Sequence, residues 1–384
     1  MKCCRKILYI ILALSIVLNI ICFLPYGDVF STRLNKLIYP EDYEHLSDDI
    51  SDSVYIKLVL NKSLQMDGKN YSTSEYQGLF KDIRNMLYRH RSHNETLANP
   101  FNIGYLYAGL SYYALINKKN SKEIIEYLTK VSESYEDESH NYLNYKIKNI
   151  IQVPYGIMYI NLYKLTKQTK YLSISTSIYK QLLQLRLDGK YEIPYLSNTD
   201  FRYVDGLGMF VPFLMEYYAL TGDTLAEKIA KENIRIIKKF AVDKDTGIPH
   251  HGYNPNNFQK LGSANWGRGI GWYLLALSYC GDMVDDKIEH SVAIMDYSQF
   301  PGQPYSAFDS STALMFEIFK QSRSDKRILD LSIFKPHTTV SGMIDDCSGD
   351  TYSYNQYSKT FCKSEMCNGL FLILVSKFSN NGSK

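Results

Sequence analysis

The chain has 384 residues, 45% of them apolar and 22% charged, with a formal charge of +3. These proportions are ordinary for a globular protein and exclude both a disordered chain and a polytopic membrane protein. No long Lys/Arg block occurs along it, so nucleic acid is excluded as a partner.

In chain order, the first element is apolar. Lys2, Arg5 and Lys6 precede a run from Ile7 to Leu24 that only Tyr9, Ser15 and Asn19 interrupt. A helix rising ~1.5 Å per residue over that run nearly covers a hydrocarbon core of ~30 Å. Charge bias keeps the basic flank in the cytoplasm, which puts the body of the chain outside. Residues 1–25 are therefore predicted to be a transmembrane signal-anchor that associates with the membrane, leaving the rest on the extracytoplasmic side of the cell envelope. Cleavage would make the protein secreted instead, but no small-x-small site follows the apolar run. Residues 26–75 are mixed and polar and read as a stalk or linker, with an amphipathic helix expected near Ser74 to Tyr88. Residues 76–384 read as one domain.

Within that domain apolar segments recur. They are GYLYAGLSYYALI from Gly104, YGIMYINLYKL from Tyr155, GLGMFVPFLMEYYAL from Gly206, GIGWYLLALSYC from Gly269, STALMFEIFK from Ser311 and CNGLFLILVSKF from Cys367. A helix that is apolar on nearly every face is a buried helix. Between them lie amphipathic helices, the clearest beginning at Thr224 with a Thr-x-x-Glu capping box to Glu227 and apolar Leu225, Ile229, Ile236, Ile237 and Phe240. Tyr163-Lys-Leu-Thr166 and Tyr218-Ala-Leu-Thr221 end their apolar helices in nearly the same words, 55 residues apart. This is one helical hairpin per period. The predicted fold is all-α, an (α/α)6 barrel in which the loops leading into six inner helices meet on one face. Helix N-termini gathered there carry unpaired N–H groups and partial positive charge, which suits anionic ligands such as uronates.

Candidate residues are those just ahead of the inner helices. Asp205 stands before the third, where it could cap the helix or carry chemistry. Ser263-Ala-Asn-Trp266-Gly-Arg268-Gly-Ile-Gly271-Trp272 leads into the fourth, and its indoles are the only two in the chain. An indole face stacks on a sugar ring and a guanidinium grips a carboxylate with two bonds, although Arg packed on Trp also serves as plain structure. His250 and His251 could be metal ligands, but adjacent residues rarely reach one ion together, so a single imidazole bonding to substrate is the simpler reading. The 34 tyrosines fit sugar-binding rims as well as they fit biased codon usage. Cys347, Cys362 and Cys367 cluster near the C-terminus, where export would permit one disulfide. No zinc spacing, phosphate-binding Gly loop, spaced Ser-His-Asp triad or dinucleotide fingerprint is present, so neither metal nor cofactor is expected. Oligomeric state leaves no signal in the sequence.

The runs VDGLGMFVPFL at 204–214, TGD at 221–223, HHGY at 250–253 and NWGRGIGWYLLAL at 265–277 resemble the unsaturated glycuronyl hydrolases of glycoside hydrolase families 88 and 105. Weaker likeness extends to 161–172, 309–315 and 368–374. The resemblance implies an (α/α)6 barrel that hydrates the C4=C5 bond of an unsaturated terminal uronyl residue on an oligosaccharide. It implies that Asp205 protonates the double bond and then acts as base for water, while His251, Trp266, Arg268 and Trp272 hold the substrate. One departure stands out. The family generally places a second Asp ahead of the second inner helix, and here Lys148-Asn-Ile-Ile-Gln152-Val-Pro-Tyr155 offers only Gln152, which can position a hydroxyl but cannot relay a proton. Two other readings stay open: a hydrolase of a saturated glycan with Asp309 as partner to Asp205, and an inactive membrane-tethered glycan-binding protein of polysaccharide assembly.

Overall fold

The protein is described here by a computed structural model covering residues 2–23, 36–37, 40–66, 101–117, 121–187, 190–195, 201–325, 328–349, 351 and 353–379. The amphipathic helix expected near Ser74 to Tyr88 lies outside these residues.

Six inner helices form the wall of the barrel: α3 (Phe101–Ile116), α5 (Tyr155–Thr166), α7 (Asp205–Thr221), α9 (Gly267–Tyr279), α11 (Ser310–Arg323) and α12 (Glu365–Phe378). Their apolar character on all faces has the predicted consequence, since α3 is buried without a break from Asn102 to Ala114 and α12 from Glu365 to Ser376. Each packs on the next, and α12 returns to α3 to close the ring. Around them stand the amphipathic α4 (Ser121–Glu133), α6 (Thr169–Gln184), α8 (Thr224–Phe240) and α10 (Asp286–Ala293), with α8 burying Ala226, Ile229, Ala230, Ile234 and Ile237. The cap of α8 differs from expectation by one residue: Asp223, rather than Thr224, accepts from the Leu225 N–H. An Asp carboxylate at that point satisfies an orphan donor and also meets the positive end of the helix.

Closure of the ring depends on two glycines facing each other. A Cβ on Gly109 would fall 2.2 Å from the Gly369 carbonyl oxygen, and one on Gly369 would fall 2.1 Å from that of Tyr105. Helices α3 and α12 are therefore in backbone contact.

The N-terminal part departs from the predicted division of the chain. Helix α2 (Asp52–Leu64), inside the segment read as stalk, buries Tyr55, Val59, Leu60 and Ser63 against α12 and α3. Tyr55 packs against Phe371 with the rings tilted and their centroids 4.9 Å apart and bonds Thr338 Oγ1 at 2.8 Å, while Asn368 reaches Ser63 Oγ at 3.3 Å. Its spacing of polar residues hid a buried edge, and α2 supplies an outer element beside α3 and α12. Helix α1 (Lys2–Phe23) forms as predicted, with exposed Ile7, Ile10, Leu12, Leu14 and Ile16. The predicted transmembrane anchor is not supported, because no helix among the described residues is long and apolar enough to cross a membrane.

At the C-terminal ends of the inner helices the barrel is closed by a charged cluster. Lys164 of α5 meets Glu216 of α7 at 2.7 Å, Lys377 of α12 meets it at 3.9 Å, and Tyr112 of α3 donates to it. Lys377 also lies over the ring of Tyr279 on α9, 3.7 Å from its centroid. Burial pushes the Glu216 carboxyl up, but Lys377, Lys164 and the Tyr112 hydroxyl outweigh it, so its pKa falls below the ordinary value. A carboxyl lowered in the folded state lends stability above its unfolded pKa of ~4.3, and that stability is lost as pH falls through the lowered folded value. Glu216→Gln is expected to cost about 1–3 kcal/mol at pH 7, less than the ~3–5 of a wholly buried pair because both lysines keep some solvent. In urea titrations the difference from the parent chain should shrink toward pH 3; a difference that stays constant with pH would show that packing, not charge, holds the cluster.

Candidate active site

The opposite face, where the inner helices begin, holds a cavity of about 200 Å³. This is below the ~300–1,000 Å³ of sites that enclose drug-sized ligands, so the enclosed part takes about one sugar ring. Phe101, Asp205, Met209, Arg268 and Trp272 line it from the starts of α3, α7 and α9. Two short antiparallel sheets flank it. In the first, β1 (Arg202–Tyr203) pairs with β2 (Gly252–Tyr253), which pairs with β3 (Lys260–Leu261); in the second, β4 (Cys347–Ser348) pairs with β5 (Phe361–Cys362). The pairing of Tyr203 with Gly252 brings Tyr203 and His251 to the same wall, and Tyr195, Thr351 and Ser353 complete it from loops.

Asp205 is the first residue of α7, and it makes no capping bond. Its Oδ1 is buried without a hydrogen-bond partner, and its Oδ2 lies 3.6 Å from His251 Nε2, which is likewise buried and unpartnered. On the far side of the imidazole, Nδ1 is 3.0 Å from the Tyr354 carbonyl oxygen. A carbonyl only accepts, so Nδ1 carries the proton and Nε2 faces Asp205. His250 turns away to the Gly262 carbonyl at 3.1 Å, so the paired histidines do not converge.

The two tryptophans separate in role. Trp272 lines the cavity, edge-on to Phe101 at 5.8 Å, and it fits only because Gly208 has no side chain: a Cβ there would lie 2.2 Å from the indole. Trp266 stands behind the wall, with its ring 4.3 Å from that of His251, and it supports the imidazole rather than offering a face to the cavity. Arg268 lines the cavity but is 4% exposed, and its two terminal nitrogens donate to the carbonyls of Ser348 and Gly349. Its fork thus moors the segment that bears Thr351 and Ser353. Burial and the neighbouring Asp205 and Tyr354 hold the Tyr203 hydroxyl above its ordinary pKa, and burial with Asp205 does the same at Tyr357 despite a bond from the Ser263 N–H. Both stay neutral donors at physiological pH.

Two further expected site residues, besides Trp266, are not in the cavity wall. Gln152 Oε1 accepts from the N–H of Lys148 at 3.0 Å and of Asn149 at 3.4 Å, closing a capping box on the turn Ile150–Gln152. Asp309 is fully buried as the cap of α11: Oδ1 accepts from Ser311 N–H and hydroxyl at 3.0 and 2.6 Å, and Oδ2 accepts from the Ser348 hydroxyl at 2.6 Å. Backbone groups claim both side chains. Phe101, the first residue of the first inner helix as Asp205 is of the third, was findable by the same positional rule. Tyr195, Thr351 and Ser353 carry no such signal, because they sit in irregular segments without periodicity.

With a lone carboxylate, an imidazole, an arginine and an indole gathered at the mouth of a ring of six inner helices, the comparisons with known proteins agree. The sequence profile of glycosyl hydrolase family 88 matches residues 81–299, more than half of the chain. The chain belongs to glycosyl hydrolase family 88. No curated protein matches it in sequence. Among solved structures, a possible member of glycoside hydrolase family 105 from Klebsiella pneumoniae superposes with a TM-score of 0.64 at 13% identity, covering 86% of this chain and 94% of that one. A glycoside hydrolase of family 105 from C. acetobutylicum gives 0.57 at 16%, covering 77% and 97%. An α-1,6-mannanase of Salegentibacter gives 0.55 at 13%, covering 86% and 100%. At these identities the superpositions establish the shared fold, and the family-88 profile establishes a glycoside hydrolase.

Proposed function

We propose that this family-88 chain hydrates the C4=C5 bond of an unsaturated uronyl residue at the end of an oligosaccharide. The carrying observation is Asp205, a carboxylate that no backbone or side-chain donor has claimed, at the wall of a cavity sized for one sugar ring. Vinyl ether hydration needs one such group used twice. Asp205 gives its proton to C4; the cation that develops at C5 is stabilised by the ring oxygen; water bonds to C5 and returns a proton to Asp205. The resulting hemiketal opens to a ketone and expels the sugar held at C1.

A saturated-glycan hydrolase would need an acid and a base together, ~6.5–9.5 Å apart if inverting. Asp205 is the only carboxylate among the described residues of the cavity wall, and Asp309 spends its oxygens on α11 and Ser348. These facts favour hydration over the reading that the mannanase fold would otherwise suggest. Export belongs to the same proposal, on the strength of Lys2, Arg5 and Lys6 ahead of an apolar helix.

The experiment is a panel of lyase-generated unsaturated oligosaccharides followed by loss of their ultraviolet absorbance, run separately on the membrane, secreted and cytoplasmic fractions. Loss of absorbance with at least one of them, in the membrane or secreted fraction, is expected. A panel without any response would remove the hydration reading, and response only in the cytoplasmic fraction would remove export.

A further inference from the structure

We propose that His251 and Asp205 act as a pair that carries one proton. This rests on the hydration reading of Asp205.

The geometry leaves little else for the pair to do. With Nδ1–H committed to the Tyr354 carbonyl, a neutral His251 must carry its lone pair on Nε2, and that atom faces Asp205 Oδ2 at 3.6 Å with no other partner. A lone pair and a carboxylate oxygen facing each other out of water repel; one proton between them removes the repulsion. The ring cannot swing aside, because Trp266 backs it at 4.3 Å, Tyr203 at 5.2 Å and Tyr357 at 5.7 Å. The other titratable or charged groups around the pair are Arg268 from α9, anchored on two carbonyls, Tyr195, and Tyr354 and Tyr357 from the segment after β4. On β1, Tyr203 stays neutral, and Arg202 is paired with Glu192 at 2.8 Å. His250, next in the chain, is engaged by Gly262.

A pair of carboxylates holding one proton is an anion, whereas an imidazole and a carboxylate holding one proton are neutral together. This site therefore receives a uronate without a resident negative charge opposing it, under the added attraction of Arg268. In the empty site the proton rests on Nε2, which faces Oδ2 at 3.6 Å. When substrate binds it is on Asp205, passes to C4 as the new C–H bond forms, and is replaced on Asp205 by a proton of the water that bonds to C5. The pair ends with the one proton it began with. His251 is thus a positioning residue that holds the proton Asp205 passes to C4.

The test is the pH dependence of kcat on a responding unsaturated disaccharide, for the parent chain and for His251→Asn, together with ¹⁵N NMR of the imidazole in the parent chain and in Asp205→Asn. The parent chain should give a bell, since the one-proton state is lost at both ends. In His251→Asn the alkaline limb should move at least one pH unit toward acid, with kcat at pH 7 down about 10–100-fold, recovery as pH is lowered, and KM within about threefold. In the NMR arm Nδ1 should stay protonated throughout, and removing the Asp205 charge should lower the titration midpoint of Nε2 by at least one unit. An unmoved alkaline limb, or an imidazole that titrates alike with and without the Asp205 carboxylate, overturns the pair. If no substrate responds, the hydration reading falls while the NMR comparison still decides the pair; that comparison also decides if His251→Asn fails to fold.

Discussion

Replacing Asp205 by Asn should abolish turnover of any unsaturated disaccharide that the parent chain accepts, lowering kcat by about 10³–10⁴-fold. That loss corresponds to about 4–5.5 kcal/mol of transition-state stabilisation. It lies at the upper end for acid–base catalysis because the same carboxyl is asked first to give a proton to carbon and then to take one from water. Asn matches the shape of Asp and can do neither. Folding should not suffer, since the carboxylate makes no capping bond and its buried Oδ1 has no donor to lose. Thermal unfolding of the variant should therefore match or slightly exceed that of the parent, and KM should change little if binding rests on Arg268 and Trp272. Steady-state kinetics by ultraviolet absorbance decides the matter: a variant that keeps more than a tenth of parental kcat would remove Asp205 from the centre of the chemistry.

The second large effect is on stability, at the seam where the ring closes. Gly369→Ala puts a methyl group 2.1 Å from the Tyr105 carbonyl oxygen and 2.6 Å from the Leu106 nitrogen, and neither of those atoms belongs to a flexible side chain. Overpacked cores commonly lose ~1–3 kcal/mol, occasionally more. Relief here requires α12 to back away from α3, which would loosen a contact that runs along both helices, so a loss of about 3 kcal/mol or more is expected. Set against the ~5–15 kcal/mol that holds a typical domain, this is severe. Gly281→Ala serves as the control, because the nearest atom to its Cβ is the flexible Arg323 Nη1 at 3.5 Å. Urea midpoints of the two variants compare them directly. If Gly369→Ala unfolds where Gly281→Ala does, the close approach of the helices is wrong.

How much of this could be read from the amino acids depended on how each residue's environment marks them. Inner helices are legible because burial on all sides demands apolar residues at every position, and no other structure in a chain of this composition makes the same demand six times. The outer helix α8 was legible through its apolar stripe. Helix α2 was not: its buried edge, Tyr55, Val59, Leu60 and Ser63, includes a serine, and neighbours such as Lys57, Asn61 and Lys62 give the segment the look of a solvated connector. The rule that residues ahead of the inner helices face the cavity brought out Asp205, His251, Arg268 and Trp272, which do share one cavity wall. The same rule misplaced Gln152 and Asp309. Sequence position says that a polar side chain stands at a helix entrance, but not whether it looks outward to the cavity or backward to the orphan N–H groups of its own turn. Trp266 illustrates the same gap, since stacking on a sugar and stacking on an imidazole leave the same letter in the chain. Thr351 and Ser353 were beyond reach altogether, because Arg268 brings their segment to the mouth through backbone carbonyls that any sequence would provide.

The charged cluster around Glu216 has a bearing on how the enzyme would work along a polymer. It draws side chains from five of the six inner helices and stops the far end of the barrel, so the cavity is a cup rather than a tunnel. Whatever enters must leave by the same mouth. A sugar chain cannot thread through; only its terminal ring enters, and under the proposed hydration the new end is saturated, so each chain leaves after a single turnover. On a mixture of chain lengths such a catalyst would take the one unsaturated residue from the end of every chain, whatever its length, and leave the rest intact.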